Sequence, residues 1–379
     1  MDESGVDRIL LFVILALTLV GLVMVYSSSY AIATEVTGAK APSFFFRKHV
    51  VRVAFGLLLM FLFARVGEHT LRTCARPLLV VSIAMLVLTL VPTGLRLCAR
   101  GSCRWLRLGG FSFQPSEVAR ISMVLYLADY VTRKGYDIRS FRRGFLPAFL
   151  VIGGITGLIA FEPNIGTAVM VLLVGSVVLF AGGARIHHLA GSLVGCSGIM
   201  LGVMKITGYN WERIDALISS SAEGMSYHVR QALIAIGAGG LKGLGIGMGN
   251  QKYLFVPDAH TDFVFAITAE EIGLLGVVGI IGLFFLFVWR GLKVSRHAQT
   301  VFASVTAAGI TMAIAGYFCV SAGVCTGILP TAGLPLPFMS YGGTSSMILL
   351  ASCGMLLGVS RRKQTFLELQ PSRWRELIR

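Results

Sequence analysis

Asp258, His260 and Asp262 occupy alternate positions in the octapeptide Val256–Phe263, VPDAHTDF. Two carboxylates and an imidazole within five residues can accept, hold or relay a proton. The run Phe263–Ala269 that follows is apolar and reads as the start of a long helix. A carboxylate at a partly desolvated helix mouth is a candidate general base for a hydroxyl group, and Asp258, one turn earlier, adds a like charge beside it. Asp262 also suits a plainer role, because Asp and Thr are preferred N-caps that close the N–H groups a helix leaves open. The residues alone do not separate the two roles. His260 is either a second base or a loop residue bonded to nearby backbone. Upstream lies the glycine-rich stretch Gly237–Gly249, GAGGLKGLGIGMG, followed by Lys252. It is neither a Walker A loop nor a dinucleotide fingerprint, since no strand precedes it. Its glycines would let backbone approach closely.

The elements that must position these groups are membrane helices. Of 379 residues, 55% are hydrophobic and 13% charged, and the mean hydropathy is +0.78. A soluble domain carries roughly a quarter charged residues. The chain therefore reads as an all-α integral membrane protein. A span needs about twenty apolar residues. That template gives ten candidates: 9–28, 49–66, 77–95, 116–133, 146–162, 165–183, 187–206, 263–290, 300–324 and 341–360. The first reads as a retained helix rather than a cleaved leader, because Asp2, Glu3 and Asp7 precede it instead of a basic region. Glu162-Pro163-Asn164 makes a tight hairpin of the fifth and sixth spans. One polytopic membrane domain, 1–379, is expected. It would hold a long loop at 207–261 between the seventh and eighth spans and a basic tail at 361–379. Within that loop Tyr227–Ala238 has helical spacing and suits the membrane interface.

The net charge of +15 does not call for nucleic acid. With the N-terminus inside, most of the 33 Lys and Arg fall on inner loops and the tail, as the positive-inside rule requires. Both termini are then expected in the cytoplasm. The cations left outside are unusual. The outer loop 94–115 carries Arg96, Arg100, Arg104 and Arg107 and no acid. These suit an anionic ligand such as a phosphate, or lipid headgroups and loop ion pairs. Trp105 beside Arg104 is either an interface anchor or a platform for a sugar ring. Glu117 and Arg120, three apart near the outer end of the fourth span, share a face and can pair. Asp129, Glu270 and Glu271 also lie inside predicted spans, where ionisable groups are functional candidates. The seven cysteines show no metal-ligand spacing; Cys98 and Cys103 share the outer loop and could form a disulfide there. The Pro-rich run Leu329–Pro337 leads into Phe338–Ser346, including Ser340. Broken backbone at membrane depth requires protein cover or a polar cavity.

Six stretches resemble the SEDS family, whose members include the division protein FtsW, the elongation protein RodA and the sporulation protein SpoVE. They are Val23–Ser29 (VMVYSSS), Arg104–Arg120 (RWLRLGGFSFQPSEVAR), Glu162–Ala168 (EPNIGTA), Arg230–Lys252, the Asp262 stretch, and Gly327–Ser346 (GILPTAGLPLPFMSYGGTSS). VMVYSSS and VPDAHTDFVFA lean towards the division branch. The resemblance implies a peptidoglycan glycosyltransferase that polymerises lipid II, a disaccharide-pentapeptide on polyprenyl pyrophosphate, at the outer face of the bacterial inner membrane. It implies partnership with a class B penicillin-binding protein and with other divisome or elongasome membrane proteins. The family's essential aspartate falls on Asp262, its tryptophan and preceding arginine on Trp105 and Arg104, and its glutamate and basic residue on Glu117 and Arg120. Arg104, Arg120 and Lys252 are then expected to help hold the diphosphate, with His260 and Ser340 as further substrate-binding candidates. A divalent cation, magnesium or manganese, would suit the leaving group, although the sequence shows no dedicated cage. Four positions depart from the family pattern. Arg120 stands for a usual lysine, Asp258 for a glutamate, Glu162-Pro163-Asn164 for Gln-Pro-Asp, and Ser321 for a frequent asparagine.

Two other function classes fit parts of the sequence. A lipid II flippase could use Glu117, Arg120, Asp129 and Glu270 along a path, with a broken helix near Pro330–Pro337. A non-catalytic scaffold would need only helix packing and the tail to recruit a penicillin-binding protein. Polymer formation that depends on Asp262 separates the enzyme from both.

Overall fold

The computed structural model describes residues 5–37, 40–92, 94–99, 102–108, 111–207, 227–253 and 255–361. In lipid a segment must satisfy its own backbone, and among single segments only a helix does so. The described residues form eleven α-helices. They are α1 (Arg8–Thr37), α2 (Phe44–Phe63), α3 (Glu68–Leu90), α4 (Pro115–Lys134), α5 (Leu146–Phe161), α6 (Ile165–Ala181), α7 (Ile186–Thr207), α8 (Tyr227–Gly239), α9 (Val264–Arg296), α10 (Val301–Cys325) and α11 (Thr344–Arg361). Among the described residues, six helical segments are long and apolar enough to cross a membrane: α1, α3, Phe141–Phe161 with α5, α9, α10 and α11. The apolar runs predict ten spans. The shortfall at α2 and α4 reflects charge, since α2 carries Arg47, Lys48 and Arg52, and α4 carries Glu117, Arg120, Asp129, Arg133 and Lys134. At 17 residues, α6 is apolar but short. The helix starts also differ. Charge interrupts hydropathy without interrupting a helix, so α3 begins at Glu68 rather than 77. Its added turns bring Arg72 to within 2.8 Å and Arg76 to within 3.6 Å of the buried Asp129 carboxylate on α4.

α10 lies at the centre, packed on α4, α6, α9 and α11. α11 lies along α2, α3 along α4, and α1 against α2 and α9. Small residues allow the closest crossings. A Cβ on Gly354 of α11 would stand 2.3 Å from the Met60 carbonyl oxygen of α2.

The all-α expectation is corrected at residues 96–113. These form an antiparallel sheet of β1 (Arg96–Ala99), β2 (Ser102–Leu108) and β3 (Phe111–Phe113) in that order. Leu97 faces Trp105 across the first pairing and Arg107 faces Ser112 across the second. Residues 104–108 read Arg-Trp-Leu-Arg-Leu, without the strict alternation that marks a half-buried strand in sequence. Cys98 and Cys103 are joined in a disulfide across the β1–β2 hairpin.

The predicted loop 207–261 contains α8, which packs along α9, followed by glycine-rich turns. Residues 208–226 and the tail beyond Arg361 lie outside the described residues. The Pro-rich segment between α10 and α11 dips irregularly into the bundle. Leu334, Leu336, Phe338, Met339 and Ser340 are buried, and the Phe338 ring packs at 6.1 and 5.9 Å from Phe284 and Phe287 of α9. Protein covers this broken backbone, as its depth requires.

Candidate active site

Asp262 is half-buried in a tight turn just before α9. Asp258 adopts a left-handed backbone, φ 55. Its carbonyl oxygen accepts from the N–H groups of Thr261 (3.0 Å), Asp262 (3.1 Å) and Phe263 (3.4 Å). Phe263 occupies the N-cap of α9 without a side-chain cap bond. Asp262 thus precedes the N-cap, and the capping role considered for it falls to no side chain. The Cys325 thiol at the end of α10 donates to the Asp262 carbonyl at 3.7 Å. A Cβ on Gly333 would lie 3.8 Å from Asp262 Oδ2, so the carboxylate faces the Pro-rich segment.

That segment is zipped to the turn. Ser340 Oγ donates to the Thr261 carbonyl (2.5 Å) and accepts from Leu336 N–H (2.8 Å). Tyr341 N–H donates to the His260 carbonyl at 2.8 Å. The buried His260 ring lies 5.3 Å from the Phe45 ring and 5.6 Å from that of Tyr341. The Arg52 guanidinium stands over Tyr341 at 5.1 Å. His260 and Ser340 therefore share Asp262's turn as packing and backbone-bonding residues.

Arg104 and Trp105 stand together on β2, half-buried. Arg104 donates from Nε to Ser102 Oγ and from Nη2 to the Pro163 carbonyl, both at 2.5 Å. Ser102 Oγ donates to the Glu162 carbonyl at 2.7 Å. The sheet thereby grips the α5–α6 turn. α5 ends at Phe161, which leaves Glu162 in the turn outside both helices. Its carboxyl is 1% exposed and accepts from Thr89 Oγ1. Burial pushes its pKa up to about 7, against the opposing effects of the Thr89 hydrogen bond and the Arg104 charge. The start of α6 approaches the Pro-rich segment that the aspartate faces. A Cβ on Gly166 of α6 would stand 2.1 Å from the Ala332 carbonyl, next to Gly333. On another side, Thr344 Oγ1 at the head of α11 accepts from Gln114 N–H (3.2 Å) and donates to the Ser112 carbonyl (3.3 Å).

Glu117 and Arg120 form the predicted ion pair in the first turns of α4, with Arg120 Nη2 2.8 Å from Glu117 Oε2. Both are buried. The Arg120 guanidinium stands 4.3 Å over the Tyr317 ring of α10.

Lys252 lies deeper still. Its ammonium donates to Gly247 O (2.6 Å), Glu271 Oε1 (2.8 Å) and Ser27 Oγ (3.0 Å). Three partners occupy its three N–H groups in this arrangement. Glu270 and Glu271 precede a break in α9 at Gly273, φ 67 and ψ −175, and the glycine-rich stretch fills that break. Leu244 and Gly245 N–H groups donate to the Glu270 and Glu271 carbonyls at 3.0 and 2.9 Å. The Gly240 and Leu241 carbonyls accept from Leu274 and Leu275 at 2.9 and 3.2 Å. The Glu270 carboxylate accepts from Asn250 and Gln251 N–H, at 2.7 and 3.2 Å. The close backbone approach expected of these glycines is therefore to α9.

Sequence reasoning missed Glu162, Ser27, Tyr341 and Phe45 as members of this environment. Glu162 and Ser27 lie inside quoted motifs, so a signal existed for them. Tyr341 also lies inside a quoted motif, Gly327–Ser346, whereas Phe45 is an ordinary aromatic until the fold brings it against His260 and Tyr341. Among the described residues, no three His, Cys, Asp or Glu side chains gather into a group that could hold a metal. A pocket lined by Val66, Glu68, Leu71, Phe302 and Gly358 lies at the opposite ends of the helices from Asp262.

Comparison with known proteins bears on this arrangement. The FtsW/RodA/SpoVE family, described as cell cycle protein, matches residues 7–365. Stage V sporulation protein E of Bacillus subtilis (strain 168) is 37% identical over 363 residues, covering 95% of this chain and 98% of that protein. A probable peptidoglycan glycosyltransferase FtsW from Trichlorobacter lovleyi is 36% identical over 356 residues, 93% of each chain. In solved structures, a chain from a peptidoglycan synthase complex, studied for structural coordination of polymerization and crosslinking, superposes with TM-score 0.75. It is 29% identical, over 94% of this chain and 98% of that one. The rod shape determining protein RodA of Thermus thermophilus superposes with TM-score 0.70 at 29% identity, over 95% and 98% of the two chains.

Proposed function

The chain belongs to the FtsW/RodA/SpoVE family of cell cycle proteins, and from that premise we infer how its residues do the family's chemistry. It is a peptidoglycan glycosyltransferase and a multi-pass membrane protein. We propose that it polymerises lipid II at the outer face of the bacterial inner membrane, with both termini in the cytoplasm. The cation count supports this orientation. So does the Asp129 cluster with Arg72, Arg76 and Arg133 at the helix ends opposite the Asp262 turn.

Asp262 is the proposed general base. It takes the proton from the 4-hydroxyl of the acceptor sugar, and the oxygen attacks the anomeric carbon of the donor sugar from the face opposite the diphosphate. The new C–O bond forms as the old one breaks, its electron pair leaves on polyprenyl pyrophosphate, and configuration inverts. Arg104 and Arg120 supply positive charge for the diphosphate oxygens, and Trp105 offers a ring face to a sugar. Ser340 and His260 hold the turn that presents the carboxylate. A divalent cation, magnesium or manganese, would neutralise charge on the leaving diphosphate. A class B penicillin-binding protein is the proposed partner that cross-links the product, alongside other divisome or elongasome membrane proteins. The observation that carries this reading is the Asp262 carboxylate, half-buried before α9 and facing the Pro-rich segment, which packs on the start of α6 beside the turn that Arg104 bonds.

Purified protein, with and without its penicillin-binding protein, should convert lipid II to glycan polymer resolved on a gel. A folded Asp262→Asn variant should lose on the order of 10²–10⁴-fold in rate, the usual value of a general base. Equal polymer from that variant removes Asp262 from the mechanism. Transbilayer movement of lipid II without polymer would make the protein a flippase. Neither activity, with retained partner binding, would make it a scaffold.

A further inference from the structure

Asp262 stands near the tip of an excursion whose two arms are close to equal in length. One arm runs up from Lys252 through the Asp258 turn, and the other runs down the first turns of α9 to Glu271. The arms meet at their base, where Lys252 Nζ is 2.8 Å from Glu271 Oε1. Neither side chain is more than 3% exposed. Ser27 Oγ of α1 donates to the same carboxylate oxygen at 2.5 Å and accepts from Lys252 at 3.0 Å, pinning the base to a third element. Glu271 Oε2 accepts from Gly247 N–H at 3.0 Å. Two residues beyond Glu271, the break at Gly273 interrupts α9's own backbone ladder, and the glycine-rich stretch, bonded on both sides of the break, connects the short outer piece to the long inner one. A rigid helix would fix Asp262 by itself. A broken one leaves the outer piece to whatever holds its base.

We propose that Lys252, Glu271 and Ser27 form a clasp that positions Asp262 for the glycosyl transfer. The inference rests on the reading of Asp262 as the base. It makes Lys252 and Glu271 positioning residues, since their polar groups bond one another and the surrounding backbone. An ion pair suits this place because a buried charge left alone is strongly unfavourable, so the two arms separate only at high cost. Neutral replacements of similar shape at both positions remove the tie without stranding a charge.

The test is the double variant Lys252→Met with Glu271→Gln, purified in complex with its penicillin-binding protein and supplied with lipid II. It should remain folded by gel filtration, with kcat for polymerisation down at least tenfold and KM for lipid II within about twofold of wild type. The Cys325 thiol, which touches the Asp262 carbonyl, reports position without turnover. Peptide-resolved alkylation of Cys325 should speed up, while Cys353, buried on α11, stays protected. Wild-type kcat in the double variant would overturn the clasp, as would unchanged Cys325 alkylation. A raised KM at normal kcat would instead return Lys252 to the diphosphate. Asp262→Asn is measured in parallel. Activity in that variant would sink the base reading, while the Cys325 result still decides the clasp.

Discussion

A carboxyl group shut away from water keeps its proton to higher pH, and Glu162 is the described group outside the spans where this is largest. Its ordinary pKa of 4.5 is raised to about 7, mainly by burial. Between those values the folded protein holds a proton that the unfolded chain has released. Stability therefore falls as pH rises through that window, and above about 7 the full penalty of a buried carboxylate is present. Glu162→Gln keeps an oxygen to accept from Thr89 and removes the titration. The melting temperature of this variant, relative to wild type, should rise from pH 5 to pH 8; a constant gap would show that Glu162 does not titrate there. Because Ser102 and Arg104 both bond the same turn, the variant's pH profile of polymerisation should flatten in the same range.

Among the elements, the broken ones matter most. Two irregular segments enter the bundle, and each is accommodated by glycine on a helix. The glycine-rich stretch fits the break in α9. The Pro-rich segment fits against α1, where a Cβ on Gly21 would stand 2.0 Å from the Phe338 carbonyl oxygen. That neighbour is backbone and cannot rotate away. Gly21→Ala should cost about 1–3 kcal/mol or more in stability, as overpacking does. It should also lower polymerisation, because Phe338 leads directly into Ser340 and its bond to the Asp262 turn. A variant with wild-type melting and activity would show that this contact is not what seats the segment. The sheet is the other decisive element. Its strands present Arg104 and Trp105 from a hairpin closed by the Cys98–Cys103 disulfide.

For the whole molecule, the charges divide between two ends. At the end away from Asp262, Arg290 pairs with Asp7 at 2.5 Å while Asp7 N–H donates to Ser360 Oγ at 3.1 Å, tying α1, α9 and α11. The polymerase reading requires this end to face the cytoplasm. Ile328→Cys, in the turn after α10, and His297→Cys, after α9, are exposed positions at opposite ends. With Cys74, Cys196 and Cys319 replaced by alanine, an impermeant maleimide should label Cys at 328 in intact cells. It should reach Cys at 297 only after permeabilisation. The reverse pattern would put Asp262 on the wrong side for an extracytoplasmic polymerase.

The sequence by itself determined the helical membrane class, most of the helix positions, the Glu117–Arg120 pair and the Asp262 motif. Apolar length, charge placement and i,i+3 spacing are local properties that need no partner to be read. Tertiary structure alone decided three matters. It turned the outer loop into a sheet, because strand pairing depends on a neighbour that hydropathy does not register. It placed the N-cap of α9 at Phe263 instead of Asp262, because the Asp258 carbonyl gathers the N–H groups of that turn. It also enclosed Lys252, which reads in sequence as one more outer cation. Whether a lysine faces a ligand or a buried glutamate depends on residues far away in the chain, here Ser27, and only folding brings them within 3.0 Å.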